Sequence, residues 1–174
     1  MKKIIVILAV VMFFIMNNQD VESIVIPNSA IRVRIISNSS NREDLATKEQ
    51  LRQELEPIIY NLLKNVTSID EARNILIDNI PNIDVEIERS LKKQNTEYSF
   101  ETKYGLNYFP QKEFKGVIYE EGYYESLVVK LGDGNGDNWW CVLFPPLCLL
   151  DFEDEIKDDI EYRSFVMDIL NKYI

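Results

Sequence analysis

The spacing of apolar residues changes at Glu97, and this change limits the class of fold that the chain can adopt. Apolar residues recur every three or four positions in residues 51–66, which is the spacing of an amphipathic helix. In residues 98–104 and 31–35, apolar or aromatic residues alternate with polar ones, as in a half-buried strand. The order of strand, helices, strands and helix predicts a single α+β domain. We expect a mixed or antiparallel sheet of about five strands, packed with three to four helices.

The ends of the helices are predicted from caps and prolines. Ser40 and Glu43 form a capping-box pattern at the start of the first helix. Pro57 is expected to kink this helix or to start a new segment. Ser68 predicts the start of a second helix, which Pro81 is expected to end, with a third helix beginning directly afterwards. A last helix is expected near the C-terminus.

Residues 1–19 have the pattern of an export signal. Lys2 and Lys3 precede an uninterrupted apolar run, which as a helix would rise ~20 Å and fall short of the ~30 Å membrane core. The residues before the first polar ones are too bulky for a clear cleavage site, so retention as an N-terminal membrane anchor is the alternative. Residues 20–30 are expected to be a tether, and residues 31–174 a single globular domain.

The chain contains no histidine, which excludes Ser-His-Asp catalysis, Cys-His catalysis and His-ligated zinc. Its 19 basic and 29 acidic residues give a net charge of -10, which disfavours contact with a phosphate backbone. Nucleic acid is therefore not an expected partner. No nucleotide-binding or nucleophile motif indicates a reaction. We expect no catalytic residues and no cofactor, and predict that the protein is not an enzyme.

A glycine-rich loop partly matches a calcium-binding pattern. Asp133, Asn135 and Asp137 occupy the first, third and fifth positions of an EF-hand loop. The sixth position, where glycine is needed, is Asn138, and the twelfth, where glutamate closes the coordination shell, is Phe144. The sequence therefore favours a mobile turn, and no metal site is expected.

Two adjacent tryptophans follow this loop. Because neighbouring residues on a strand point to opposite faces, burying both Trp139 and Trp140 requires cover on each side of the sheet. The alternative is that one tryptophan, with Phe144, Pro145 and Pro146, forms a partly exposed anchor for a partner.

Arg32 and Arg34 lie two residues apart and are expected to share one face of the first strand. Either they pair with acidic residues on neighbouring strands, or they are presented to a carboxylate of a partner.

The two cysteines, Cys141 and Cys148, are candidates for a disulfide. Closing so short a loop would stabilise the fold by ~2–3 kcal/mol in the chain-entropy model. The competing interpretation is a pair of buried, reduced thiols, since a strand at residues 141–144 could hold the two Cα atoms too far apart.

Three blocks of the sequence, residues 31–39, 104–110 and 132–148, resemble the stage II sporulation protein R family. The resemblance implies a signalling role in endospore formation. Members of this family are made in the forespore and exported into the space between the two membranes. There they activate a membrane-embedded aspartic protease of the mother cell, which processes the sigma-E precursor. The resemblance supplies no catalytic residues.

We therefore expect the extracytoplasmic part of this protease to be the partner of the domain at residues 31–174. The aromatic and proline-rich residues 139–147, together with Arg32 and Arg34, are the predicted contact surface. An alternative function is a cell-envelope (peptidoglycan) hydrolase or carbohydrate-binding module that uses paired carboxylates and stacked tryptophans. A third is a calcium-dependent adhesion domain centred on residues 133–137.

Overall fold

A computed structural model describes residues 24–26, 29–114, 117–147 and 159–173. The described residues form three helices and seven strands. The helices are α1 (Arg42–Leu63), α2 (Ile69–Lys93) and α3 (Asp159–Tyr173). The strands are β1 (Ile24–Val25), β2 (Ile31–Ile36), β3 (Phe100–Phe109), β4 (Lys112–Phe114), β5 (Val117–Tyr119), β6 (Gly122–Leu131) and β7 (Asn138–Phe144).

The strands form two sheets. The larger sheet has the order β3-β6-β2-β7, in which β2 runs parallel to β6 and antiparallel to β7, while β3 runs antiparallel to β6. The smaller sheet has the order β1-β5-β4. The prediction of an α+β fold with a mixed sheet is confirmed. The main sheet has four described strands rather than about five, and the second sheet was not predicted because its strands have at most three residues.

The hydrophobic core lies on both faces of the larger sheet. Ile31, Val33 and Ile35 of β2 pack in one cluster with buried residues of α1 and α2. On β7, Leu143 belongs to this cluster, whereas its neighbour Val142 belongs to a second cluster. The second cluster joins the smaller sheet and α3 to the main sheet through Ile26, Val117, Leu147 and Val166. Strand alternation therefore assigns the odd residues of β2 to the helices and its even residues to the opposite face.

Helix α1 begins one residue later than the capping box predicts. The cap is Asn41, whose side-chain oxygen accepts a hydrogen bond from the Asp44 N–H at 2.8 Å. Ser40 instead donates from its hydroxyl to the Asp137 carboxylate at 3.0 Å. The predicted cap is therefore wrong by one position, because Ser40 has a long-range partner that the local pattern does not reveal.

Neither internal proline ends its helix. Pro57 lies inside α1 and Pro81 lies inside α2, so the predicted third helix is a continuation of α2. Leu76 and Ile83, on either side of Pro81, are fully buried in the same core cluster. Burial of apolar side chains on both sides outweighs the ~3 kcal/mol that a proline costs inside a helix.

Part of the predicted tether is folded. Ile24–Val25 pairs in parallel with β5, and Ile26 is fully buried in the second cluster. Residues 24–26 therefore belong to the folded unit. The predicted export signal or anchor at residues 1–19 lies outside the described residues, and the division of the chain stays a prediction. No helix in the described part of the chain combines the length and apolar character needed to cross a membrane.

Candidate functional site

The glycine-rich loop is fixed to the junction between β2 and α1. Asn135 donates its N–H to the Asn38 carbonyl and Gly136 to the Ser37 carbonyl, each at 3.0 Å. The Ser37 hydroxyl donates to the Asp137 carbonyl at 3.1 Å. This differs from the mobile turn expected from composition, because residues far apart in sequence supply the partners. Two of the three sequence blocks therefore form one structural unit.

Close backbone approach explains the glycines of this loop. A Cβ on Gly136 would lie 2.2 Å from the Ser37 hydroxyl and 2.2 Å from the Ser39 carbonyl oxygen. Gly132 has φ +52°, and a Cβ there would lie 2.2 Å from the Asn38 side-chain oxygen. Larger residues would separate the loop from the β2–α1 junction.

A buried carboxylate organises the same junction. Asp44 accepts hydrogen bonds from the Ser39 hydroxyl at 2.7 Å, from Asn38 at 2.9 Å and from Asn41 at 3.2 Å. These bonds, with that of Ser39 the strongest, hold the pKa of Asp44 below its usual value against the opposing effect of burial. Lys48 of the next turn donates to the Asp137 carbonyl at 2.9 Å. The charged groups of Asp44 and Lys48 are therefore used in hydrogen bonds that join the β2–α1 junction and the loop.

The acidic residues of the loop do not converge on one point. Asp133, Asn135 and Asp137 are exposed. Besides the backbone bonds of Asn135 and Asp137 described above, the Asp133 N–H donates to the Asn38 side-chain oxygen and the Asp137 carboxylate accepts from Ser40. Among the described residues, no group of three or more Asp, Glu, Cys or His side chains is arranged to hold a metal ion.

Arg32 is fully buried against three aromatic rings, which we call the aromatic cage: Phe109, Tyr124 and Trp140. The guanidinium carbon lies 3.4 Å from the ring centroid of Tyr124, 5.1 Å from that of Phe109 and 5.3 Å from that of Trp140. Its three nitrogens have no hydrogen-bond partner among the residues that the structure describes. Loss of hydration lowers the pKa of Arg32. Both sequence-based interpretations are therefore wrong for Arg32, since it is fully buried and pairs with no acidic residue in the described part of the chain.

Arg34 lies on the same face of β2, as predicted, and is half-buried. Its Nη2 donates to the Tyr108 carbonyl, and its guanidinium carbon lies 4.1 Å from the Phe109 ring centroid. Burial lowers the pKa of Arg34. The described contacts of Arg34 are thus with a backbone carbonyl and an aromatic ring, and its predicted contact with a partner stays a prediction.

The two tryptophans point to opposite faces of the sheet and are both half-buried. Trp139 packs against the helix-side cluster, with the Arg52 guanidinium 5.5 Å from its ring centroid. Trp140 faces the other side, where its ring lies 5.7 Å from Phe109 and 5.6 Å from Tyr119. Each tryptophan is thus partly covered on its own face of the sheet, and the contact of either one with a partner stays a prediction.

The last residue of β7 and the two prolines that follow it are buried. Phe144 is 3% exposed, and its ring lies 5.5 Å from that of Tyr173 at the end of α3. Pro145 and Pro146 are also buried. The expectation that these three residues form an exposed anchor is wrong, because all three are buried and α3, which is distant in sequence, packs on Phe144. Their contact with a partner stays a prediction, although none of the three is exposed in this structure.

Cys141 is disulfide-bonded and half-buried on β7. Cys148, the other cysteine of the chain, lies outside the described residues. The predicted pairing of the two stays a prediction.

The sequence patterns do not indicate the exposure of three large hydrophobic residues, Leu106, Tyr108 and Tyr123, which we call the β3–β6 patch. These residues are 70%, 47% and 71% exposed, respectively. Tyr108 and Tyr123 are opposite each other on β3 and β6, and their rings make an edge contact at 5.7 Å. Leu106 and Tyr108 continue the alternation that begins at Tyr98, so the sequence alone assigns them to the buried face.

These features define a small α+β domain with a mixed sheet. Arg32 of this sheet is buried in the aromatic cage, and the glycine-rich loop is hydrogen-bonded to the β2–α1 junction. Residues 27–154 match the family described as Stage II sporulation protein R. The chain is also 38% identical over 133 residues to Stage II sporulation protein R of Bacillus subtilis (strain 168), an alignment that covers 76% of this chain. The chain therefore belongs to the stage II sporulation protein R family, which has a role in sporulation. It spans 59% of the length of that relative. No solved structure matches it.

Proposed function

We propose that this protein is an exported, non-enzymatic sporulation signal that activates a membrane-embedded aspartic protease. The activated protease then processes the sigma-E precursor in the mother cell. Membership of the stage II sporulation protein R family, over residues 27–154, is the observation that carries this proposal. The signal acts after export from the forespore into the intermembrane space. Residues 1–19 direct this export and are either removed or retained as an anchor.

In this fold, residues from the blocks that resemble the family pack the domain or shape its backbone. This supports a role in binding. Arg32 and Trp140 pack together, and Gly132 and Gly136 allow the loop to approach β2 closely. Each of these residues serves packing or backbone geometry. A signal protein of this kind acts through a preformed surface, which a rigid domain presents at low entropic cost.

Reconstitution tests the proposal. The full chain is co-expressed in a non-sporulating host with the candidate protease and the sigma-E precursor. We expect cleavage of the precursor only when this chain is present and carries residues 1–19. An exported chain that leaves the precursor uncleaved, beside a protease confirmed in the membrane, contradicts the proposal. Binding or cleavage of purified peptidoglycan by the same chain would instead favour an envelope hydrolase or carbohydrate-binding module.

A further inference from the structure

The β3–β6 patch has no explanation in the packing of the described chain. Burying a large apolar side chain stabilises a protein, so exposing several together forgoes that stabilisation. Leu106 and Tyr123 are the two most exposed of the large hydrophobic residues described. Clustered exposed apolar side chains of this kind mark surfaces that contact another molecule.

The patch borders the outer side of an edge strand. β3 is the terminal strand of the larger sheet, and no other described strand pairs with its outer side. Its register with β6 is unbroken over all ten residues, from Phe100 opposite Leu131 to Phe109 opposite Gly122. An edge without a bulge or proline can accept a further strand.

The hydrogen-bond pattern gives the direction of the backbone groups on β3. One step beyond the first pair, Ser99 stands opposite Gly132, whose N–H donates to the Ser99 carbonyl at 2.7 Å. Opposite pairs in an antiparallel ladder alternate between hydrogen-bonded and non-hydrogen-bonded. Tyr104, Leu106 and Tyr108 therefore direct their N–H and carbonyl groups away from β6. The Tyr108 carbonyl already accepts a bond from the Arg34 side chain. Among the described residues, the edge groups left for another strand are therefore the N–H groups of these three residues and the carbonyls of Tyr104 and Leu106.

Charge protects only the first half of this edge. Glu101 forms ion pairs with Lys103 at 2.7 Å and Lys130 at 3.7 Å. Charged side chains on an edge strand oppose pairing with other chains. Residues 104–108, Tyr-Gly-Leu-Asn-Tyr, carry no charge. At about 3.3 Å per residue this half offers an edge of roughly 16 Å, the length of a typical strand.

Resting on the function proposed above, we infer that an extended segment in the extracytoplasmic part of the protease pairs with β3 at residues 104–108. Alternate apolar side chains of that segment pack on the β3–β6 patch. Glu120 and Glu121 are exposed at the patch border, where Glu121 accepts a hydrogen bond from the Tyr108 hydroxyl at 2.8 Å. These carboxylates favour a segment with basic residues at its end.

Charge also argues against a second copy of this chain as the occupant. The net charge of the chain is -10, so two copies repel each other as they approach. A basic or neutral partner segment has no such repulsion.

Site-specific photocrosslinking in the reconstituted host tests the inference. A photoreactive phenylalanine analogue replaces Leu106 in one variant and Val85 in the control. Val85 is a 55% exposed apolar residue of α2 and lies outside the patch. We expect a crosslink to the protease from position 106 and none from position 85. Absence of the crosslink at 106, or a crosslink only to a second copy of this chain, overturns the inference.

Substitutions provide a second measurement in the same host. Leu106→Asp with Tyr123→Asp should lower precursor cleavage at least tenfold, whereas Val85→Asp should leave it at the wild-type level. Circular dichroism and thermal unfolding of the exported proteins establish that both variants are folded. Wild-type cleavage by the folded double variant overturns the inference. Failure of the wild type itself contradicts the proposed function, and the crosslink from position 106 is then judged independently.

Discussion

The guanidinium carbon of the fully buried Arg32 lies 3.4 Å from the ring centroid of Tyr124, inside an aromatic cage where no described residue offers it a hydrogen-bond partner. A desolvated cation–π contact contributes about 2 kcal/mol. Loss of hydration costs several kcal/mol for a buried ion. The contacts with three rings and the cost of desolvation are therefore of similar size, so the charge of Arg32 adds little net stability, whereas its long side chain fills the space between the rings.

Two substitutions of Arg32 separate charge from volume. Arg32→Met keeps most of the volume, so we expect a free energy of unfolding equal to the wild type or higher by about 1–2 kcal/mol. Arg32→Ala leaves a cavity and should lower it by about 2–4 kcal/mol. Urea unfolding at neutral pH measures both. Equal losses in the two variants would contradict this account and show that the cation itself stabilises the cage.

Gly136 and Gly105 give a matched pair of glycine substitutions. A Cβ on Gly136 meets backbone and side-chain atoms of Ser39 and Ser37 at 2.2 Å, whereas a Cβ on Gly105 meets nothing within 4 Å. Gly136→Ala should lower the free energy of unfolding by about 1–3 kcal/mol through overpacking. Gly105→Ala should leave it unchanged or raise it by about 0.4–1 kcal/mol by restricting the unfolded chain. Chemical denaturation measures the free energy of unfolding of both variants. An unchanged value for Gly136→Ala would contradict the close contact between the loop and the β2–α1 junction.

The disulfide of Cys141 is open to direct measurement. Cys141 is disulfide-bonded and Cys148 is the other cysteine of the chain. Closing this short loop should contribute about 2–3 kcal/mol, so Cys141→Ser should lower the free energy of unfolding by that amount. The exported wild type should resist alkylation until a reductant is added. Rapid alkylation of both thiols without reductant would contradict the pairing.

Local patterns predict much of this fold. The three- and four-residue spacing gives α1 and α2, and the alternation in β2 assigns Val33 and Arg32 to opposite faces. The positions of the helix ends were less accurate, because Pro81 is held inside α2 by buried neighbours from other elements. Such long-range packing is not visible in a local window.

The candidate site was harder to predict. Adjacent tryptophans indicate cover on two faces, which is what Trp139 and Trp140 have. The partners of Arg32 come from β3, β6 and β7, and sequence gives no reason to prefer aromatic rings over the abundant carboxylates. The exposure of Leu106 depends on which parts of the sheet the helices leave uncovered. These properties arise only when elements distant in sequence come together.

Asp44 predicts how stability depends on pH. Hydrogen bonds from Ser39, Asn38 and Asn41 lower its pKa in the folded protein, while the unfolded value is about 3.9. The folded state therefore holds the ionised carboxylate more tightly. Its contribution to stability is fully present above about pH 4 and is lost as pH falls through the folded pKa. Removing the carboxylate, as in Asp44→Asn, should abolish this pH-dependent part.

Urea unfolding of the wild type and Asp44→Asn between about pH 2 and pH 7 measures this effect. The wild type should be the more stable at neutral pH, and the difference should shrink below about pH 4. Ser39→Ala removes the strongest of the three hydrogen bonds and should raise the pKa of Asp44, which carbon-detected carboxyl titration by NMR reports directly. A difference between wild type and Asp44→Asn that stays constant across this range would contradict the lowered pKa. In that case the β2–α1 junction would depend on hydrogen bonding to Asp44 but not on its charge.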